Sequence, residues 1–433
     1  MAFQQGLSGL NVASKALDVT SNNIANSSTV GFKSANGHFA DVFANSMTGS
    51  GAGQVGIGVS LAAVQQQFTQ GNITTTNNPL DISINGGGFF RMDLNGAVTF
   101  TRNGQFHLDK NGYIVNDQGM ALTGLQTNAS GQIIPGAPAP MQISAAQLAP
   151  VATGANTGGS FQGVQAIVNL DSREPVTTWV APPAAATVWN PNPSSYNYST
   201  ALSVYDSLGN AHDLTFYFSK TGAGTWDVHM NVDGTTSNYS ATTASLGFNT
   251  SGQLTTVNGA ATTVFNVGAI NLAGIATATG VPNNATIPAF NIDLAGTSQF
   301  GADFATNRLE QDGFTTGQMT GLSVGADGVV QGHYSNGQTR NQGQVVLAKF
   351  TNPNGLMALG NNQWVDTSQS GSPLIDAAGT SGLGVLQSAS VEESNVDLTA
   401  ELVNMITQQR NYQANAQSIK TQDQIMQTLV NLR

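Results

Sequence analysis

The sequence predicts a multidomain α+β protein in which two terminal helices pair as a coiled coil and enclose nested, antiparallel, β-rich domains. Apolar residues recur with heptad spacing near both ends of the chain. Short alternating strands separated by Asn-Gly turns fill the middle. The length of 433 residues is enough for several domains.

The N-terminal segment is the first predicted helix. Phe3, Leu10, Leu17 and Ile24 recur every seven residues, and Leu7 lies on an intermediate turn. This seam spans about 24 residues, a length at which an isolated helix is only marginally stable in water. We therefore expect this helix to need a partner.

The C-terminal segment gives a clearer helical signal. Neither Gly nor Pro interrupts residues 398–433, Asp397 is a suitable N-cap, and Glu401 falls in the first turn. At 1.5 Å per residue this helix would be about 54 Å long. Its apolar stripe has the alternating four–three spacing of a coiled coil and comprises Leu398, Leu402, Met405, Tyr412, Ala416, Ile419, Met426 and Val430.

The terminal stripes have two interpretations. A single amphipathic helix most often packs on the core of its own chain. Two heptad helices at opposite termini can instead pair with each other and offer the remaining apolar surface to neighbouring copies. The polar positions between residues 408 and 417 are mostly Gln and Asn, where an exposed helix normally carries Glu and Lys. We therefore interpret the two stripes together as an assembly seam.

The middle of the chain is predicted to be strands and turns. Asn-Gly pairs at residues 85–86, 95–96, 103–104 and 111–112 separate short alternating runs, as in a β-meander. A Pro- and Ala-rich stretch ends this region near residue 150. Because both termini must reach the helical pair, we predict nested domains. These are a terminal helical domain (1–30 with 391–433), a connecting segment (31–75 with 366–390), an inner β domain (76–148 with 310–365) and an outer β domain (149–309).

The composition excludes several classes of protein. Charged residues make up 9% of the chain, and the net charge of −11 comes from scarce Lys and Arg, so there is no basic stripe for nucleic acid. The absence of Cys excludes disulfides, thiol catalysis and cysteine-type zinc sites. The N-terminus has no signal-peptide pattern, and no stretch is apolar enough to span a membrane. These features fit a cytoplasmic protein or one exported without a cleavable signal.

One cluster invites an enzymatic interpretation. Asp206, Ser207, His212, Asp213 and His229 lie close enough in sequence to suggest a hydrolytic triad. However, Asp-Ser-Leu-Gly-Asn is a turn sequence, and Ser207 does not lie in a Gly-x-Ser-x-Gly elbow that would present a nucleophile. The remaining histidines lack the spacing of metal ligands, and no Gly-rich loop between a predicted strand and a predicted helix has a phosphate-binding pattern. We expect neither catalysis nor a cofactor nor a metal.

Three segments resemble the flagellar rod and hook axial proteins. Residues 8–34 are similar to the N-terminal signature of that family, 394–433 to its C-terminal signature, and 87–124 to a β segment shared by rod and hook proteins. The characteristic N-terminal positions are Asn22, Asn23, Ala25, Asn26, Thr29, Gly31, Phe32 and Lys33. Residues 203–218 and 328–371 also resemble the β domains of hook subunits, which favours a hook subunit over a distal rod protein.

The resemblance implies a structural role. A hook subunit polymerises into a curved hollow tube that is lined by the terminal helices. This tube is the universal joint that transmits torque from the rod to the filament. The implied partners are further copies of the chain, rod and hook–filament junction proteins, the hook cap and the flagellar type III export apparatus. The implied location is the extracellular hook, and Phe3 with Leu7 matches the spacing of an export motif.

Two other classes of function remain as alternatives. A secreted β-rich adhesin would share this composition, but it would need a signal peptide and would have no use for heptads at both termini. A glycan-cleaving enzyme would need two carboxylates in a cleft, with aromatic side chains nearby.

Overall fold

The computed structural model describes residues 2–42, 56, 58–128, 130–144, 146–156, 161–181, 190–234, 240–272 and 285–431. The chain forms two compact units. The first unit comprises Met1–Ala145, Gly321–His333 and Thr339–Arg433, and the second comprises Ala146–Thr320 and Tyr334–Gln338. The second unit is therefore an insertion within the first, in agreement with the predicted nesting. The finer division of the first unit into three domains stays a prediction.

Two long helices lie at the termini, as predicted. Helix α1 spans Ala2–Ala25 and helix α2 spans Leu398–Asn431, while residues 432–433 lie outside the described part of the chain. The carboxylate of Asp397 accepts hydrogen bonds from the backbone N–H groups of Thr399 (2.9 Å) and Ala400 (3.1 Å). This is the predicted N-cap of α2, and it satisfies amides that have no partner within the helix.

The two helices pack against each other in antiparallel orientation. A Cβ atom placed on Gly6, near the start of α1, would lie 3.0 Å from Cγ1 of Ile419. Near the other end of α1, Asn23 donates a hydrogen bond to Glu401 in the first turn of α2. The helices therefore run past each other over most of the length of α1.

Thirty strands lie between the helices in the described ranges. Those before the second unit are β1 (Ala35–Val42), β2 (Gly58–Gln66), β3 (Ile73–Thr75), β4 (Ile82–Asn85), β5 (Phe89–Leu94), β6 (Ala97–Thr101), β7 (His107–Leu108), β8 (Ile114–Val115), β9 (Ala121–Leu125) and β10 (Ala139–Pro140). Next come β11 (Val164–Asp171), β12 (Tyr198–Tyr205), β13 (Ala211–Gly222), β14 (Thr225–Val232), β15 (Ser240–Phe248), β16 (Leu254–Val257), β17 (Val264–Val267), β18 (Ile270–Asn271), β19 (Thr286–Ile287), β20 (Phe290–Asp293), β21 (Ser298–Phe300) and β22 (Ala305–Gln311). The returning chain adds β23 (Met319–Val324), β24 (Val329–Tyr334), β25 (Thr339–Lys349), β26 (Met357–Gly360), β27 (Gln363–Val365), β28 (Leu374–Ala377), β29 (Val385–Ser388) and β30 (Ser390–Glu392).

The main sheet of the first unit has the strand order β23-β24-β25-β9-β5-β6-β27-β26, with β7, β8, β10 and β28 pairing off this path. Two-stranded pairs β4–β29 and β3–β30 join its N-terminal and C-terminal segments, and the ribbon β1–β2 packs against α1. Phe89, Phe100 and Trp364 belong to a buried aromatic cluster of this unit.

The Asn-Gly pairs have two different roles. Asn95 and Gly96, with φ angles of 53° and 91°, form the predicted tight turn between β5 and β6. Gly104 is not a hairpin residue. Its carbonyl accepts a hydrogen bond from the Ile82 N–H (2.9 Å), and a Cβ at this position would collide with the Ile82 carbonyl oxygen. Glycine at 104 therefore permits two backbone segments to approach closely.

The second unit contains a five-stranded meander, β12-β13-β14-β15-β16, and a second sheet with the order β17-β20-β11-β21, in which β22 also pairs with β11. Buried residues of both sheets form one hydrophobic core, which includes Phe216, Phe218 and Trp226. Most pairings are antiparallel, as predicted, but β11 runs parallel to β20 and β21. Those two partners come more than a hundred residues later, so sequence patterns of neighbouring hairpins do not reveal them.

No helix in the described ranges is both long enough and apolar enough to cross a lipid bilayer.

Candidate functional site

The buried face of α1 consists of small and polar residues. Its fully buried members are Gly6, Ala13, Ala16, Thr20 and Asn23, which have the three–four spacing of a coiled coil. Small side chains allow the backbone of α1 to lie close to α2, as the contact between Gly6 and Ile419 shows. The prediction relied on the periodicity of large apolar residues and therefore did not identify this face, although the spacing of Gly and Ala is visible in the sequence.

The large apolar residues predicted as the α1 seam lie at the edges of this face or outside it. Phe3 is 52% exposed and Leu7 is 45% exposed. Leu10, Leu17 and Ile24 are half-buried. Phe3 and Leu7, which also form the predicted export motif, share one side of the first two turns because they are four residues apart.

The predicted stripe on α2 divides in the same way. Met405, Ala416 and Ile419 are half-buried on the side that carries the contact with α1, whereas Leu398, Leu402, Tyr412 and Met426 are exposed. The side chain of Val430 lies outside the described part. Two exposed apolar residues beside Leu402, Val403 and Ile406, do not belong to the heptad and were not predicted. The role of the stripe as an assembly seam stays a prediction.

Asn23 connects the two helices to the first strand. Its side-chain amide donates to the Ala35 carbonyl oxygen (2.9 Å), and its side-chain oxygen accepts from the Ala35 N–H (2.9 Å). The same amide donates to Oε1 of Glu401 (3.1 Å). A buried side chain with these three hydrogen bonds fixes the end of α1 relative to β1 and to the start of α2.

A second buried polar group consists of three charged side chains that are far apart in the sequence. Nζ of Lys33 is 2.5 Å from Oε1 of Glu392, and Nη1 of Arg102 is 3.0 Å from Oε2 of the same carboxylate. All three side chains are almost completely shielded from solvent. We call this group the Lys33–Glu392–Arg102 triad. It joins the N-terminal segment, the segment after β6 and the C-terminal strand β30, so it ties together three parts of the first unit.

Backbone groups complete the triad. Lys33 also donates to the Thr69 carbonyl oxygen (2.7 Å), Arg102 donates to the Gly86 carbonyl oxygen (2.9 Å), and the Gly71 N–H donates to Oε1 of Glu392 (2.9 Å). The guanidinium carbon of Arg102 lies 5.4 Å from the centre of the Phe89 ring. Within the described residues, Nε of Arg102 has no hydrogen-bond partner.

Burial dominates the electrostatics of the triad. It lowers the pKa of Lys33 and of Arg102, because a charged group loses hydration inside the protein. The Glu392 carboxylate opposes both shifts by attraction and hydrogen bonding. Two cations therefore depend on a single carboxylate, which makes Glu392 the central member.

The other signature residues shape the turn between α1 and the triad. Asn26 donates to the Asn22 carbonyl oxygen (2.9 Å) and accepts from the Thr29 hydroxyl (3.2 Å). Gly31 has a φ of 72°, and a Cβ there would lie 2.6 Å from a backbone nitrogen. Its N–H donates to the Glu392 carbonyl oxygen (2.8 Å). Phe32, which precedes Lys33 in the sequence, is buried, and Ala25 is exposed at the end of α1.

The residues considered for a hydrolytic triad do not form one. Both ring nitrogens of His212 are engaged by carboxylates, Nδ1 by Asp233 (2.6 Å) and Nε2 by Asp206 (3.3 Å). The Ser207 hydroxyl oxygen accepts from a backbone N–H, and no hydrogen bond joins it to His212 in the described structure. Hydrogen bonds to the two carboxylates raise the pKa of His212, with that to Asp233 the largest effect.

The remaining members of that cluster are also occupied elsewhere. The ring of His229 stacks on Trp179 with centroids 3.9 Å apart, and burial lowers the pKa of His229 to about 4. The backbone N–H of Asp213 donates to Asp233 (2.9 Å). Among the described residues, no group of three or more His, Asp or Glu side chains is arranged to hold a metal ion.

Four family models match successive parts of the chain. They describe a flagella basal body rod protein (residues 3–33), the flagellar hook protein FlgE/F/G D1 domain (83–149), the flagellar basal body protein FlaE D2 domain (169–314) and the flagellar basal body rod FlgEFG protein C-terminal region (387–432). The first of these covers α1 and the residues that follow it, and the last covers α2 and the residues that precede it.

Similar proteins are known over the full length. The chain is 43% identical over 437 residues to the flagellar hook protein FlgE of Escherichia coli strain K12, and each chain is covered completely. It is also 43% identical over 442 residues to FlgE of Salmonella typhimurium, again with complete coverage. The crystal structure of Helicobacter pylori flagellar hook protein FlgE2 has a similar fold, with a TM-score of 0.50, 14% identity and coverage of 72% of this chain and 99% of that one.

Proposed function

The chain belongs to the flagellar hook protein family, and we propose that copies of it assemble through their paired terminal helices. It is a structural subunit of the flagellar hook, a curved hollow tube that acts as a universal joint and transmits torque from rod to filament. The full-length similarity is to hook proteins, which favours the hook over the distal rod.

The observation that carries the proposal is an apolar patch on α2. Leu402, Val403 and Ile406 are 44%, 59% and 51% exposed, and their spacing places them side by side on the helix. Full burial of such a side chain contributes about 1.5–3 kcal/mol. Because the patch is repeated in every subunit, its burial against a neighbouring copy stabilises each contact of a helical polymer.

The charge distribution supports contact between copies at α2. The chain has a net charge of −11, so identical copies repel each other in general. Residues 402–422 include no acidic residue and two basic ones, Arg410 and Lys420. Two copies can therefore bring this segment close to a neighbour without the repulsion between acidic surfaces.

Asn23 and the Lys33–Glu392–Arg102 triad together form the connection between the terminal helices and the sheet, which we call the junction. In this proposal the junction gives the assembled tube its mechanical continuity. Asn23 and the Lys33–Glu392–Arg102 triad attach the helices to the sheet through buried, directional hydrogen bonds. Such contacts resist sliding because breaking one leaves a polar or charged group buried without a partner. Torque that enters through the helices is thereby passed to the β-rich body.

The partners outside the polymer are also proposals. They are the rod and hook–filament junction proteins at the ends of the tube, the hook cap during growth, and the flagellar type III export apparatus. Export would proceed without a cleavable signal. Phe3 and Leu7 are exposed near the N-terminus, where an export gate that recognises two apolar side chains one helical turn apart can reach them.

Electron microscopy of concentrated protein tests the assembly proposal. We expect the parent chain to form tubes and Leu402→Asp to remain a folded monomer, because the change places a charge in an apolar contact that only the polymer has. Leu208→Asp, the same change at an exposed leucine of the second unit, is the matched control and should still form tubes. Normal tubes from Leu402→Asp would contradict the proposal.

A further inference from the structure

We propose that the edge strand β26, Met357–Gly360, is a second contact between copies of the chain in the tube, separate from the terminal helices. This inference rests on the proposed function, because it requires a homopolymer. It concerns a surface that belongs to the β-rich body and is formed by a different part of the sequence.

The strand has the exposure and chemistry of a contact surface. All four residues of β26 are exposed, and the two large side chains, Met357 and Leu359, are each 53% exposed. They belong to a run of 16 residues, 350–365, that contains no charged side chain. Exposed apolar residues in an uncharged run are typical of surfaces that become buried in an assembly.

The strand also lies at an open sheet edge. It ends the main sheet, and in the described part of the chain it pairs only with β27. Soluble monomers usually protect such an edge with Lys, Pro, a bulge or a covering segment. Here a bulge between Ala358 and Gly360 is present, but charge and Pro are absent from the strand, and the space beside Gly360 is open.

The edge is held rigidly rather than left loose. Asn361 and Asn362 have φ angles of 52° and 55°, a left-handed conformation that Asn tolerates, and they form the turn into β27. The Asn362 side chain donates to the Val30 carbonyl oxygen (2.8 Å), and its own carbonyl oxygen accepts from the Thr101 hydroxyl (2.8 Å). A surface fixed in this way loses little conformational entropy on binding.

Two arguments indicate a second copy as the occupant. An uncharged edge on a chain of net charge −11 is a place where like-charged copies can meet with little repulsion. The edge is also continuous with the end of α1. Asn22 and Asn26 of the α1 region line a cavity of about 280 Å³ together with Ala358 and Gly360. A neighbour seated on the terminal helices at this end therefore lies within reach of β26.

Cysteine protection tests the inference on the full-length protein. The chain has no Cys, so Leu359→Cys introduces a single thiol at the centre of the proposed contact. Its rate of maleimide labelling is measured in the monomer and in assembled tubes. We expect the labelling rate to be lower by about tenfold or more in the tubes, because the reactivity of a thiol depends on its exposure to solvent. Leu208→Cys, at a similarly exposed position of the second unit, is the control and should keep its rate.

The outcomes separate this inference from the proposed function. Failure of the parent chain to form tubes would overturn the proposed function. Tubes in which the Leu359→Cys variant is labelled as fast as in the monomer, or in which Leu359→Cys and Leu208→Cys lose reactivity equally, would overturn the assignment of β26. A second variant, Leu359→Lys, should keep the monomer's unfolding temperature and reduce tube formation, and normal tubes from it would also overturn the assignment.

Discussion

Replacing Glu392 with Gln removes the carboxylate that pairs with both Lys33 and Arg102 while it keeps the shape of the side chain. Breaking a buried ion pair by removing one partner costs about 3–5 kcal/mol, because the remaining charge stays buried and unpaired. Here the change leaves both Lys33 and Arg102 buried without the carboxylate that pairs with them. In the parent protein the Glu392 carboxylate is 2.5 Å from Lys33 and 3.0 Å from Arg102. We therefore expect Glu392→Gln to destabilise the junction by at least about 3 kcal/mol.

Hydrogen exchange measures this loss at the junction itself. The Gly31 N–H donates to the carbonyl oxygen of residue 392, and the Gly71 N–H donates to its carboxylate. A loss of about 3–5 kcal/mol corresponds to exchange of these amides that is faster by a factor between about a hundred and several thousand. Asp18→Asn is the control, because it breaks the exposed Lys15–Asp18 pair and should change stability by less than about 1 kcal/mol.

A compensating variant makes the test specific to charge. Lys33→Met combined with Glu392→Gln leaves Arg102 as the one buried charge of the triad, so it should recover part of the lost protection. Exchange in Glu392→Gln that stays within about tenfold of the parent would refute the electrostatic reasoning. Equal destabilisation in the single and double variants would show that packing, and not charge, holds the junction.

Three further predictions concern the helices, the second unit and the junction. Gly6→Leu should separate α1 from α2, destabilise the pair by about 1–3 kcal/mol and expose α1 to limited proteolysis, whereas Asn11→Leu on the exposed side should not. The raised pKa of His212 predicts that its contribution to the stability of the second unit is complete below pH 6.5 and is lost as the pH rises through that raised pKa. Thermal unfolding between about pH 5 and 9 should show this fall, and His212→Gln should remove it. Asn23→Ala leaves three buried or partly buried groups without their partner and should cost about 1–3 kcal/mol, measured by urea unfolding, with an unchanged slope m.

Local patterns in the sequence were sufficient to predict the terminal helices. An uninterrupted stripe, an N-cap at Asp397 and heptad spacing are determined by residues within a few turns of each other, and the structure confirms both helices and the cap. The face that α1 buries was less accessible, because Gly6, Ala13 and Ala16 carry little hydrophobic signal. Their importance comes from the close approach of a second helix, which large apolar residues would prevent.

The triad was beyond the reach of local reasoning. Lys33 and Glu392 are separated by 359 positions, and nothing near either residue indicates the pairing. The one available signal was that Lys33 is isolated: it is the only Lys or Arg between Lys15 and Arg91, in a chain with few charges. The resemblance to axial proteins singled out Lys33, Gly31 and Asn23 without explaining them. The structure supplies the reason, because all three residues connect the helices to the β-rich body.

The most direct test of assembly through the terminal helices is a helical reconstruction by electron cryomicroscopy of tubes grown from the purified protein. Our account predicts that α1 and α2 line the bore and that Leu402, Val403 and Ile406 contact a terminal helix of a neighbouring subunit. A map in which these three side chains face solvent, with subunits joined through their β-rich bodies alone, would contradict it.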